Sequence, residues 1–174
     1  MLETLLSLRG RIGTVLVPRS SRGNLADPSL ALYLSHVGLP VTEVDDFSEV
    51  EFPGGTVIAT PFLGEHADLD IRAKTTYCVR LAGRTVFIGA DSSGIDPTLY
   101  RYTRDYVGAV DLAFLGMECA GAPLTWLYKA LFTKPVTKKM SDSRTLSGSN
   151  AAQAAAIMTE LGVHGMVCRT RDQI

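Results

Sequence analysis

Two apolar runs that each stop at a carboxylate constrain this chain most. Thr56–Phe62 leads into Gly64-Glu65-His66, and Thr85–Ala90 leads into Asp91-Ser92-Ser93-Gly94. β-branched and aromatic residues in runs of this length favour extended backbone. Thr75–Leu81 stands between them in sequence, and Ala82-Gly83-Arg84 supplies a tight hairpin connection to the second run. Strands joined in this way lie side by side, so their ends, with Glu65 and Asp91, are brought towards one edge of a sheet. A carboxylate at the end of a strand is well placed for chemistry: the strand fixes the backbone while the loop exposes the side chain.

The rest of the chain reads as further strands and helices around this unit. Arg11–Pro18 is a short β-branched run closed by proline, predicting a strand. After a polar loop, Asp27-Pro28 predicts the start of a helix, Leu30, Leu34 and Val37 recur at helical spacing, and Gly38 ends it. Val41–Asp46 and Ser48–Pro53 predict two more strands, with a turn at Pro53-Gly54-Gly55. Asp96-Pro97 predicts the cap and first position of a helix running to about Tyr106, and Val110–Leu115 a buried strand. Pro123 to about Phe132 predicts a short aromatic helix, Lys134–Arg144 a basic loop, and Ser147–Leu161 an alanine-rich helix with Ser147 or Ser149 near its cap and Gly162 past its end. Met166–Cys168 begins a last strand. The expected fold class is α/β, a mixed and mostly antiparallel sheet with helices on one face, in one domain spanning residues 1–174.

Composition narrows the functional classes. With 46% hydrophobic and 20% charged residues, the 174-residue chain can bury a true core and is not disordered. No apolar run reaches the roughly 18 residues of a membrane span. A formal net charge of −1 gives no global field to attract nucleic acid or a membrane surface. Cys78, Cys119 and Cys168 are widely spaced and odd in number, which predicts reduced thiols and a cytoplasmic setting. The N-terminus has no secretory-signal pattern.

Two facing carboxylates suit a two-metal site, because both are hard oxygen ligands and one can bridge. They also suit plain turn structure, Asp91 closing an Asx-turn with the residues that follow. His66 is a candidate ligand or a support for one, although neighbours on an extended strand point to opposite faces. His36 falls within a helix and His164 in a late loop, and no HxH, HxxxH or HExxH occurs. Clustered histidines are what a catalytic zinc or iron centre ordinarily uses. Glu118 and Cys119 end the 110–115 strand and could support a ligand or simply close a buried loop. Lys138, Lys139 and Arg144 could meet a phosphate or stay solvated. Ser92 and Ser93 have no histidine base, which argues against serine nucleophile chemistry. Neither GxGxxG nor a P-loop is present.

Several ordered motifs carry a resemblance. FLGEHADL, GADS, FLGMEC with GAP and WLY, and a K-S-R-L-G pattern follow one another between roughly Arg22 and Gly165. In that order they resemble one branch of the metallo-β-lactamase superfamily, the dinuclear-iron β-hydroxylases that act on amino acids tethered to carrier domains of nonribosomal peptide synthetases. The resemblance implies a half-sandwich fold. It implies Glu65 as a terminal metal ligand, at a place where ordinary superfamily members have histidine, and Asp91 as the bridging carboxylate. It implies a two-iron site and oxygenase chemistry, with zinc-dependent hydrolysis the alternative on the same fold, and a carrier protein presenting the substrate. The superfamily's HxHxDH motif does not occur in this sequence, and MVCRTRDQI departs from the family pattern without a histidine. The chain therefore resembles the C-terminal half of such an enzyme, truncated at both ends. The expectations are then a catalyst completed by a partner chain, or a non-catalytic remnant holding no metal by itself, with an apolar sheet face open to a partner chain or to self-association.

Overall fold

The computed structural model describes residues 2–21, 26–63, 74–117, 123–127, 129–142 and 148–170. Its centre is a six-stranded sheet in the order β3-β4-β5-β6-β7-β8. The strands are β3 (Glu49–Phe52), β4 (Gly55–Pro61), β5 (Thr75–Leu81), β6 (Arg84–Ala90), β7 (Leu112–Met117) and β8 (Gly165–Thr170). β3 to β6 form an antiparallel meander, and β7 and β8 add in parallel. Parallel neighbours need long crossovers. These contain α3 (Leu99–Val107) and α6 (Ala151–Leu161).

The two-residue turns set the register of the meander. Phe52 pairs with Gly55 around Pro53-Gly54, where Gly54 has φ 91°. Leu81 pairs with Arg84 around Ala82 and Gly83, both left-handed at φ 50° and 72°. Two successive positive φ values match the twist of antiparallel strands.

The sheet has two unlike faces, because side chains alternate along each strand. The paired row Ile58, Cys78, Phe87 and Ala113 lies under α3 and α6 and packs with Tyr100, Val107, Leu115, Ala154, Ile157 and Leu161, all buried. Phe87 and Tyr100 meet edge to face, 6.2 Å between centroids. On the opposite face run the rows Val57, Val79, Val86, Leu112 and Ala59, Tyr77, Ile88, Phe114. Here Ile88 is 42% and Phe114 40% exposed. The architecture is thus the expected mixed, mostly antiparallel sheet with its main helices on one face.

A smaller parallel pair, β1 (Val15–Pro18) and β2 (Val41–Val44), is joined through α2 (Ser29–His36) over a core of Val17, Leu34 and Leu39. Tyr77 Oη donates to the Leu16 carbonyl at 3.0 Å and ties this pair to the open face of the large sheet.

Several boundaries differ from expectation for local reasons. Arg11 closes a 3₁₀ turn, its N–H bonding the Leu8 carbonyl at 2.8 Å, so β1 begins only at Val15; a short helix, α1 (Leu2–Ser7), precedes it. α3 begins at Leu99 because Asp96 Oδ1 spends itself on the Thr98 N–H and hydroxyl, at 3.1 and 2.6 Å, forming a turn ahead of the helix. Asn150, not a serine, caps α6: it accepts from the Gln153 N–H at 2.9 Å and Gln153 Oε1 accepts from the Asn150 N–H at 3.0 Å. The aromatic helix is shorter than expected, α4 (Leu124–Leu127) followed by a 3₁₀ turn at Lys129–Leu131. The basic loop holds a turn of helix, α5 (Lys138–Asp142), closed by a 2.7 Å Lys138–Asp142 pair. Among the described residues no helix is long and apolar enough to cross a membrane.

Candidate functional site

Asp91 is delivered by a break in the β6–β7 ladder. Ile88 pairs with Phe114, and the register then slips so that Ala90 pairs with Leu115. The residue skipped is Gly89, where a Cβ would lie 2.6 Å from both a Leu115 methyl and the Phe87 ring. Ala90 then turns left-handed, φ 46°. A bulge of this kind re-aims a strand end, and it presents Asp91 at the sheet's edge.

The turn that follows is bound on every side. The Ser92 N–H donates to the Gly89 carbonyl at 2.9 Å, and the Ser92 hydroxyl donates to the same oxygen. Ser149 Oγ donates to the Ser92 carbonyl at 2.8 Å, and Tyr100 Oη to the Ser93 carbonyl at 2.8 Å. Burial pushes the Tyr100 phenol far above its ordinary range, so it stays a donor at any physiological pH. Two further glycines pack around this turn, and the first of them meets the carboxylate. A Cβ on Gly116 would sit 2.9 Å from the Ala90 carbonyl oxygen and 3.0 Å from Asp91 Oδ1, and one on Gly148 would sit 3.1 Å from the Gly116 carbonyl oxygen. Ser92 and Ser149 are fully buried, and their hydroxyls donate to backbone carbonyls. Ser93 Oγ is buried without a hydrogen-bond partner.

The end of β4 comes to the same place. The Ser93 N–H donates to the Leu63 carbonyl at 2.7 Å, and Tyr100 Oη reaches that carbonyl at 3.4 Å. Glu65 follows Leu63 by two residues in the sequence, as Ser93 follows Asp91. Glu65 and His66 themselves lie outside the described residues, as do Glu118, Cys119 and Arg144.

A cleft of about 300 Å³ opens beside Asp91. Pro18, Phe62, Tyr77 and Ala90 form its apolar walls, and Lys74, Thr75 and Asp91 its polar ones. The Lys74 ammonium stands 5.5 Å from the centre of the Phe62 ring. A larger cleft, about 590 Å³, is lined by Lys129, Phe132 and Lys134 among others and shares no residue with the first. Lys138 is engaged with Asp142. Cys78 is fully buried, and burial pushes its thiol up to about 12, so it is no neutral-pH nucleophile. Among the described residues no three His, Cys, Asp or Glu side chains cluster as a metal site.

Sequence reasoning located Asp91 but missed the glycine niche, Tyr100 and Ser149 around it. Gly116, inside β7, carried a usable signal: glycine within a strand often marks a close approach of another backbone.

No family model matches the chain. A curated relative is the Streptomyces venezuelae 3-hydroxylase of 4-amino-L-phenylalanyl on the CmlP peptidyl carrier protein, 43% identical over 162 residues, covering 92% of this chain and 30% of the relative. The crystal structure of CmlA, a diiron β-hydroxylase from Streptomyces venezuelae, superposes with TM-score 0.75 at 40% identity, over 97% of this chain and 32% of that one. The metallo-β-lactamase fold protein YhfI from Bacillus subtilis shares the fold at TM-score 0.58 and 10% identity, over 99% of this chain and 60% of its own. The chain spans about a third of the length of the hydroxylase it matches.

Proposed function

We propose, for a chain that has the metallo-β-lactamase fold and is similar over nearly all its length to a diiron β-hydroxylase, that it supplies the carboxylate side of a dinuclear iron site. Asp91 is the bridging ligand and Glu65 a terminal one. The complete catalyst hydroxylates an aminoacyl group presented on a carrier protein. The observation that carries this reading is the niche around Asp91: a bulge, a left-handed alanine and one glycine, Gly116, with no room for a Cβ beside the carboxylate constrain the chain where β6 ends. The Ser93–Leu63 hydrogen bond supports Glu65 as its companion, since it joins the two strand ends that lead to these carboxylates. Iron rather than zinc follows from carboxylate in place of histidine, because harder oxygen ligands favour iron redox chemistry.

The remaining ligands come from polypeptide beyond the described residues, and the open sheet face bearing Ile88 and Phe114 is where it docks. A contiguous apolar face of this kind is an interaction surface. That polypeptide is the complementary half of the fold rather than a second copy of this chain, whose sequence holds no HxH, HxxxH or HExxH cluster. A non-catalytic protein is the second reading, since the HxHxDH motif does not occur in this sequence.

Metal analysis after anaerobic incubation with ferrous iron, or with zinc, tests the proposal. Alone, the chain should retain little of either, since one or two carboxylates bind weakly. Added to a polypeptide spanning the remainder of the hydroxylase sequence, it should retain iron, and Asp91→Ala or Glu65→Ala should abolish the gain. Retention unaffected by both substitutions would sink the assignment.

A further inference from the structure

We infer that the larger cleft, formed by α4 and the basic segment after it, is a docking site for an acidic stretch of another protein bearing one apolar anchor side chain. The inference is independent of the iron reading and uses none of its residues. It starts from charge. Four of the chain's five lysines, Lys129, Lys134, Lys138 and Lys139, fall within eleven residues. No acidic residue occurs between Cys119 and Ser141. The segment thus carries a formal +4 in a chain whose net charge is −1.

The fold gathers these lysines around a concave surface. Lys129 and Lys134 line the cleft of about 590 Å³, and Phe132, Pro135 and Val136 are its apolar walls. α5, which carries Lys138 and Lys139, is held beside it through Thr125, a lining residue. The Thr125 N–H donates to Ser141 Oγ at 3.3 Å, and the two hydroxyls meet at 3.0 Å. Lys138 pairs with Asp142. Lys129, Lys134 and Lys139 are exposed and form no ion pair with a described carboxylate. An apolar centre inside a charged rim is the anatomy of a protein–protein interface.

Three features select the occupant. The unpaired ammonium groups attract carboxylates and repel basic partners. The concave apolar floor takes one protruding aliphatic or aromatic side chain, the kind of seated anchor that dominates binding. A nucleic-acid duplex offers no such side chain, and a bilayer presents a broad surface rather than a single protrusion. The use of lysine sets the lifetime, since the chain's twelve other basic residues are arginines. Lysine is a compact, strongly hydrated charge without arginine's two-pronged grip on a carboxylate. The complex is therefore quick to form, short-lived and weakened by salt.

The test is fluorescence anisotropy of a labelled ten-residue peptide, glutamates around a central leucine pair, titrated with the full chain at low salt. One control peptide has glutamine for every glutamate, and another has serine for both leucines. The parent peptide should bind with a submillimolar Kd, and each control roughly tenfold or more weakly. Lys129→Gln, Lys134→Gln, Lys138→Gln and Lys139→Gln combined, all at exposed positions, should cause a similar loss with an unchanged circular dichroism spectrum. Spectra of ¹⁵N-labelled chain should place the shifts between 124 and 141. Full-strength binding of either control, no loss in the fourfold variant, or shifts centred elsewhere would each overturn the inference. Tighter lysine-dependent binding to phosphatidylserine vesicles or to duplex DNA would overturn it in favour of a membrane or a nucleic acid.

Discussion

Substituting Gly116 by alanine probes the niche that holds Asp91. The new methyl would enter at 2.9 Å from the Ala90 carbonyl oxygen and 3.0 Å from Asp91 Oδ1, with the Ala90 carbonyl carbon at 3.4 Å. Two of these atoms are backbone in a segment already left-handed at Ala90, so they yield little. Overpacking of one carbon against such a wall costs about 1–3 kcal/mol. For a chain of this size that lowers Tm by roughly 4–8 °C, taking about 2 kcal/mol at about 2–4 °C each. A thermal melt followed by circular dichroism measures it. Gly10→Ala is the matched control: no atom lies within 4 Å of its built Cβ, and its effect should stay within about ±0.5 kcal/mol. Asp91→Ala in the Gly116→Ala background should recover part of the loss, because one of the two closest contacts is removed while the Ala90 carbonyl remains. A Gly116→Ala melt indistinguishable from wild type, or a double variant with strictly additive losses, would refute the argument that the two residues are in close contact.

Other substitutions test separate parts of the structure. Ala82→Gly should raise stability by up to about 1 kcal/mol in urea unfolding, since Ala82 sits at φ 50°, where a Cβ is disfavoured. The Asp111 carboxyl is held below its ordinary value by the Thr85 N–H and then by Arg84, so its contribution is present above the ordinary aspartate value of 3.8 and is lost as pH falls through the depressed one. Asp111→Asn should therefore lower Tm at pH 7, with the difference closing below that ordinary value; a gap that widens in acid would contradict it. Ile88→Lys with Phe114→Lys should reduce binding of a hydrophobic dye and any self-association, measured by fluorescence and sedimentation; unchanged dye binding would show that the sheet face is not the apolar surface reported.

Local signals in the chain were enough for some features and silent on others. The meander was legible because alternation in Thr75–Leu81 and the Ala82-Gly83 turn act over neighbouring residues. The start of β1 was misplaced because Arg11 has nothing in its side chain to announce a 3₁₀ turn made by its backbone. The α6 cap was assigned to the wrong neighbour because Ser149, an equally good cap by type, is diverted to the Ser92 carbonyl, a partner 57 positions away. Asp91 was legible as the end of an apolar run. Its surroundings were less so: Gly116 and Gly148 meet the backbones of Ala90 and Gly116, far off in sequence, and Gly89 meets the Leu115 side chain of the neighbouring strand.

The division of the sheet into an antiparallel meander and a parallel annex also orders its assembly in time. Hairpins such as β5–β6 close within microseconds, whereas β7 reaches β6 only after the stretch containing α3 has been brought round, and longer loops close more slowly. Asp91 lies on that seam: its strand belongs to the early half, but Gly116 and Gly148, which confine it, arrive with the late half. Refolding should thus pass through a stage in which the carboxylate is attached to a formed ribbon yet free to swing. Pulsed hydrogen exchange should find β4 to β6 amides protected before those of β7 and β8, and simultaneous protection of all five strands would rule the sequence out.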